Sequence, residues 1–61
     1  MTGEEFRIAR LRAGFTSQKK CADEKRCNVM TINRWETGKV PVPHHAEEWI
    51  NRLVAEAPGA I

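Results

Sequence analysis

Helix stop signals recur along this chain at short intervals, and they limit what it can build. Gly14, Gly38, the Pro41/Pro43 pair and Pro58-Gly59 each end or forbid a helix, so no helix can run longer than the 23 residues between Gly14 and Gly38. Residues able to cap a helix stand at Thr2, at Thr16 or Ser17, and at Asn28, which divides that longest stretch in two. No stretch alternates apolar and polar residues as a half-buried strand would. The pattern predicts an all-α chain, a compact domain of four helices or at most five.

Thr2 followed by Glu5 is a capping box, and it opens a helix over 3–13 with Phe6, Ala9 and Ala13 inward. Ile8 and Leu11 lie off that stripe, free to cover the last helix or a second subunit. A second helix is expected over 18–25, with Cys21 and Ala22 inward. Asn28 caps a third over 29–37, stopped by Gly38. Only a turn of about three residues separates the second and third helices, which is helix-turn-helix spacing. After the proline loop, Pro43 suits the first position of a fourth helix over 44–57. Its apolar pattern is the cleanest in the chain: Ala46, Trp49, Ile50, Leu53, Val54 and Ala57. Residues 58–61 are expected to fray.

Sixty-one residues make one domain, 1–61. A chain of this size buries only about 60% of the surface it exposes unfolded, so a partner subunit would help it. An enclosed catalytic pocket is hard to build at this size, and Asp23, Glu24, His44 and His45 form no nucleophile-base arrangement. The chain is therefore read as a non-enzyme with no catalytic residue, no cofactor and no small-molecule ligand. No apolar run is long enough to span a membrane. Cys21, Cys27, His44 and His45 match no standard zinc spacing, so no metal is expected. Two reduced, mostly buried thiols fit the cytoplasm.

Charge is uneven. Residues 1–40 carry nine Lys/Arg against five Asp/Glu, whereas residues 41–61 carry one against three. The basic part is the one suited to a polyanion.

The third helix is the most informative. At 100° per residue, Ile32 and Trp35 fall within about 60° of each other and define a buried side, with Thr31 and Glu36 at its flanks. The opposite face carries Met30, Asn33, Arg34 and Thr37, with Val29 at the edge. Arginine can bond guanine O6 and N7, asparagine can bond adenine N6 and N7, and Met or Val can pack on a thymine methyl. An α-helix fits the major groove.

From Ser17 the chain reads SQKKCADEKRCNVMTINRWETG. This resembles, without a gap, the helix-turn-helix of the lambda-repressor/Cro-like family of transcriptional regulators. The shared features are Ser17-Gln18, Cys21-Ala22, Asn28, Thr31-Ile32 and Trp35-Glu36-Thr37-Gly38. The likeness extends upstream to EEFRIARLRAGF and downstream through the proline loop, covering residues 2–54. It implies a helix-turn-helix at 17–38 and a small sequence-specific regulator of phage or mobile-element type, a repressor or autoregulator. Such a chain is expected to have no effector domain and to act by occupancy, by blocking polymerase or by contact with another protein. Asn28, Val29, Met30, Asn33 and Arg34 match positions that face bases. Ser17, Gln18, Arg10, Lys20, Thr37 and Lys39 are the expected phosphate contacts, with Lys19 a further neighbour. Arg10 and Glu36 match a structural salt bridge.

Two features depart from the family. Lys25-Arg26 stands where an apolar residue and glycine are usual, so either that turn has another shape or Arg26 accepts a left-handed backbone. In the second case Lys25 lays its stem over the core while its amine reaches water. The first turn, 14–18, is also one residue longer. The implied partners are double-stranded DNA carrying an inverted-repeat operator and a second copy of the chain. The dimer face is expected around Val40, Val42, Trp49 and Val54. The implied location is the cytoplasm of a bacterial or phage-infected cell, at the nucleoid. A protein-interaction module with the same fold is the alternative.

Overall fold

A computed structural model supplies the architecture, and the structure describes residues 1–57. Four helices follow one another: α1 Gly3–Arg12, α2 Gln18–Lys25, α3 Val29–Thr37 and α4 His44–Glu56. No strand occurs among the described residues. The bounds expected for α2 and α3 recur unchanged. α1 stops one residue early, with Ala13 as its cap. α4 also stops one residue early because Ala57 turns extended, at φ −74° and ψ 108°. Ala57 precedes Pro58, and the proline ring crowds the helical region for the residue before it. The expected fraying at 58–61 lies outside the described residues.

The N-termini are set by side chains. Glu5 N–H donates to Thr2 Oγ1 at 3.1 Å and Thr2 N–H donates to Glu5 Oε1 at 2.7 Å, completing the capping box. That backbone bond from Thr2 holds the Glu5 carboxyl below its ordinary range. Ser17, rather than Thr16, caps α2 by accepting from Lys20 N–H at 3.2 Å. Asn28 caps α3 by accepting from Met30 N–H at 2.8 Å. Each such cap contributes about 1 kcal/mol. α4 has no side-chain cap, and Pro43 stands just outside it as the N-cap residue, not at its first position. The Pro43 carbonyl accepts from the backbone N–H groups of Ala46 and Glu47, each at 3.0 Å. It thereby starts the helical ladder from outside.

The C-termini are set by backbone handedness. Gly14, at φ 99°, lets Phe15 N–H bond back to the Arg10 carbonyl and Gly14 N–H to that of Leu11. This double closure is the Schellman arrangement. Phe15 then packs against the core. Arg26 adopts the left-handed backbone itself, at φ 61° and ψ 46°. Cys27 N–H then closes on Ala22 O at 2.9 Å. The strained alternative is the one realised, at a cost of about 1 kcal/mol relative to glycine.

The core joins all four helices: Phe6 and Ala9, Cys21 and Ala22, Ile32 and Trp35, Ala46 and Ile50. Phe6 meets Trp35 edge to face, with ring centroids 5.4 Å apart. α1 packs on α3 and on α4, and α2 packs on α3. Ala13 is only partly buried, and Arg10 takes a buried place beside the expected α1 stripe. In α4 only Ala46 and Ile50 are fully inside, while Trp49, Leu53 and Val54 are half-buried. Trp49 is covered from the side. Phe15 stacks on it at 5.9 Å, and Lys25 Nζ lies 5.4 Å from its ring centre. Lys25 is half-buried, and its amine ends on the aromatic face of Trp49, where the expectation had it reaching water.

Gly3 makes the closest approach between helices. A Cβ there would collide with the carbonyl oxygen of Trp35 and come within 2.8 Å of that of Glu36. The start of α1 therefore lies against the end of α3, backbone to backbone.

Candidate functional site

The outward face of α3 is held by its inward one. Ile32 is fully buried and Trp35 nearly so, while Thr31 and Glu36 are half-buried on either side. With those positions fixed, Val29, Met30, Asn33, Arg34 and Thr37 stand in solvent. Val29 is 39% and Met30 55% exposed, so two apolar side chains lie uncovered beside an amide and a guanidinium. Asn28 is also exposed, with its Oδ1 engaged as the cap.

Behind this face runs a polar network that joins α1, α2 and α3. Arg10 Nε donates to Glu36 Oε2 at 2.7 Å, and Arg10 Nη1 donates to the Phe15 carbonyl at 2.8 Å. The two side chains of the ion pair are 7% and 5% exposed. The other carboxylate oxygen, Glu36 Oε1, accepts from Gln18 Nε2 at 3.1 Å. Gln18 Oε1 in turn accepts from Asn33 Nδ2 at 3.4 Å. Among the described residues no buried side-chain nitrogen or oxygen lacks a partner. A buried ion pair depends on further hydrogen bonds to offset its desolvation, and here both Glu36 oxygens and the Nε and Nη1 of Arg10 are engaged.

The remaining expected residues fall into two groups. Lys20, Arg34 and Lys39 are exposed cations with no ion-pair partner among the described residues, whereas Lys19 pairs with Asp23 at 3.5 Å on the surface. Ser17 and Thr37 spend their hydroxyls locally. Ser17 caps α2, and Thr37 Oγ1 donates back to the Asn33 carbonyl at 2.9 Å. Arg10 is the one expected surface contact that the fold encloses. Its buried pairing favours bracing α3 over reaching outward.

Sequence reasoning did not find the Gln18–Asn33 contact or the close approach at Gly3. The first joins residues 15 apart on different helices. The second involves a glycine in an ordinary helical conformation, which leaves no mark in the sequence.

Cys21 is fully buried and Cys27 half-buried, and both are free thiols. Burial pushes Cys21 up to about 11 and raises Cys27 as well. No cluster of three or more His, Cys, Asp or Glu placed to hold a metal occurs among the described residues. No helix there is long and apolar enough to cross a membrane. A second surface feature lies between α1 and α4, an open groove of about 230 Å³ lined by Met1, Glu5, Ile8, Ala9, Arg12, Asn51 and Val54.

No protein-family model matches the chain, and no curated protein or solved structure matches it.

Proposed function

We propose that this chain binds double-stranded DNA sequence-specifically, laying α3 in the major groove as a small transcriptional repressor or autoregulator. The observation that carries the reading is the uncovered row Val29, Met30, Asn33 and Arg34 on a helix whose other side is locked in the core. Those groups have the chemistry of base edges: methyl contact, adenine pairing and guanine pairing. The resemblance of residues 17–38 to the lambda-repressor/Cro-like helix-turn-helix supports it. So does the excess of Lys and Arg over residues 1–40. Lys20, Lys39 and the free N–H of Gln18 are the groups offered to phosphates.

One recognition helix offers few base-reading side chains, and each mismatch is worth only about 1–3 kcal/mol. The working unit is therefore a two-fold symmetric pair on an inverted repeat, with its helices in successive major grooves about 34 Å apart. Val40, 42% exposed, and the half-buried Val42 are the apolar groups available for that contact. Such a regulator works in the cytoplasm, at the nucleoid.

Binding-site selection from random duplex DNA tests this directly and should return a palindrome. Arg34→Ala should relax preference at one base pair per half-site by about 1–3 kcal/mol. Lys39→Ala should weaken binding to all sequences alike and lower the salt slope by about one. A uniform loss from both changes would remove α3 from the role of reader.

The groove between α1 and α4, lined in part by Ile8, which is 44% exposed, favours a second reading as a protein-interaction module. Under that reading the chain shows no salt-dependent retention on DNA.

A further inference from the structure

The polar network behind α3 runs in one direction. Arg10 can only donate, so Glu36 accepts from it. An ionised carboxylate can only accept, so the Gln18 amide must turn its NH2 toward Glu36 Oε1, as it does at 3.1 Å. That leaves Gln18 Oε1 on the far side, next to Asn33. An amide oxygen can only accept, so Asn33 must present its own NH2 there, as it does at 3.4 Å. The last link is long for a hydrogen bond, and what it transmits is direction more than strength. An asparagine on a solvated helix face ordinarily flips its amide freely. Here each link fixes the next, beginning from a guanidinium that never loses its charge.

We infer that Gln18 is a positioning residue that sets the polarity of the Asn33 amide, making Asn33 a reader of adenine on one chosen strand. The inference rests on the DNA-binding reading above. With its NH2 held toward α2, Asn33 keeps one N–H and all of Oδ1 for a ligand, with the donor on the α2 side and the acceptor away from it. Adenine is the base whose major-groove edge offers an acceptor, N7, beside a donor, N6. Guanine offers two acceptors, cytosine one donor, and thymine one acceptor and a methyl. Adenine must then lie with N7 toward α2. Exchanging A·T for T·A moves that edge to the other strand and reverses its direction, so the two are no longer equivalent to this site. Gln18 retains a second N–H for a phosphate, so positioning and backbone contact coexist in one side chain.

The test is binding-site selection with the whole chain, comparing wild type, Asn33→Ala and Gln18→Met. Methionine keeps the length of Gln18 without its polarity. Wild type should show one adenine per half-site whose preference Asn33→Ala abolishes. Gln18→Met should lower adenine-over-thymine discrimination at that same position about tenfold and leave the other positions unchanged. Thermal melts followed by circular dichroism confirm that each variant folds. Should Gln18→Met not fold, Gln18→Ala is read by the same criteria. Loss of affinity spread equally over all sequences would reduce Gln18 to a phosphate contact and overturn the inference while leaving the DNA reading intact. An Asn33-dependent position that prefers a base other than adenine would overturn it too. A wild-type chain that selects no sequence sinks the DNA reading itself, and this inference with it.

Discussion

The two flanks of α1 are built on different principles. Toward α3, every contact is specific: Gly3 lies under two carbonyl oxygens, Phe6 meets Trp35 edge to face, and Arg10 is sealed in with Glu36. Toward α4, Ala46 and Ile50 are buried, but the rim opens into the groove around Met1, Ile8 and Val54. The first junction fixes an orientation, and the second mainly excludes water. A domain this small has a total stability of about 3–9 kcal/mol, so it cannot make every junction exact. It concentrates precise geometry behind α3, the helix whose outward face carries Met30, Asn33 and Arg34 in solvent.

The contrast can be broken most directly at Glu36. Glu36→Ala strands the Arg10 guanidinium and should cost about 3–5 kcal/mol, most of the stability of the chain, in urea unfolding. A double-mutant cycle with Arg10→Met should be strongly non-additive, and simple additivity would mean that the pair does not act as a unit. Next comes Gly3→Ala. Overpacking against backbone carbonyls should cost about 1–3 kcal/mol. At about 4–8 °C per kcal/mol for a domain of this size, the thermal midpoint would show it plainly. An unchanged midpoint would mean that α1 can slide on α3.

A smaller effect should appear at alkaline pH. Cys21 belongs to the buried core, and burial raises its thiol from 9.0 to about 11. Preference for the neutral thiol is therefore fully present below pH 9.0 and is lost as pH rises through about 11. Thermal midpoints of wild type should fall over that window more steeply than those of Cys21→Ala. Matching slopes would show that Cys21 is not sealed. The smallest effect belongs to the open flank. Ile8→Gln, on a residue 44% exposed, should change stability by no more than about 0.5 kcal/mol. A loss comparable to that of Gly3→Ala would erase the distinction between the flanks.

Legibility in the sequence follows the same divide. Caps and stops act through neighbours two to five residues away, so Thr2, Asn28, Gly14 and Gly38 could be read from order alone, and the cap of α2 was narrowed to Thr16 or Ser17. Helical periodicity likewise picked out Ile32 and Trp35, and with them the uncovered face of α3. The Arg10–Glu36 pair spans 26 residues, and it entered through family resemblance, not through any local pattern. Periodicity overstated α4, since apolar spacing cannot tell full burial from the side-on cover that Phe15 and Lys25 give Trp49. Arg26 was legible only as a choice between two turn shapes, because the balance between strain there and closure of Cys27 on Ala22 is settled by tertiary packing.

The placement of the two tryptophans gives α3 and α4 each an optical reporter. Trp35, 5% exposed and seated against Phe6, should emit at short wavelength and resist quenching by acrylamide or iodide. Trp49, half-buried beneath a lysine amine, should emit further to the red, and the nearby positive charge should draw iodide toward it. Single-tryptophan variants, Trp35→Phe and Trp49→Phe, would separate the two signals during unfolding. Coincident transitions would mark one cooperative unit. An earlier transition at Trp49 would show α4 loosening while α3 remains held, which would let the chain exchange what covers its open side without disturbing the helix it aims.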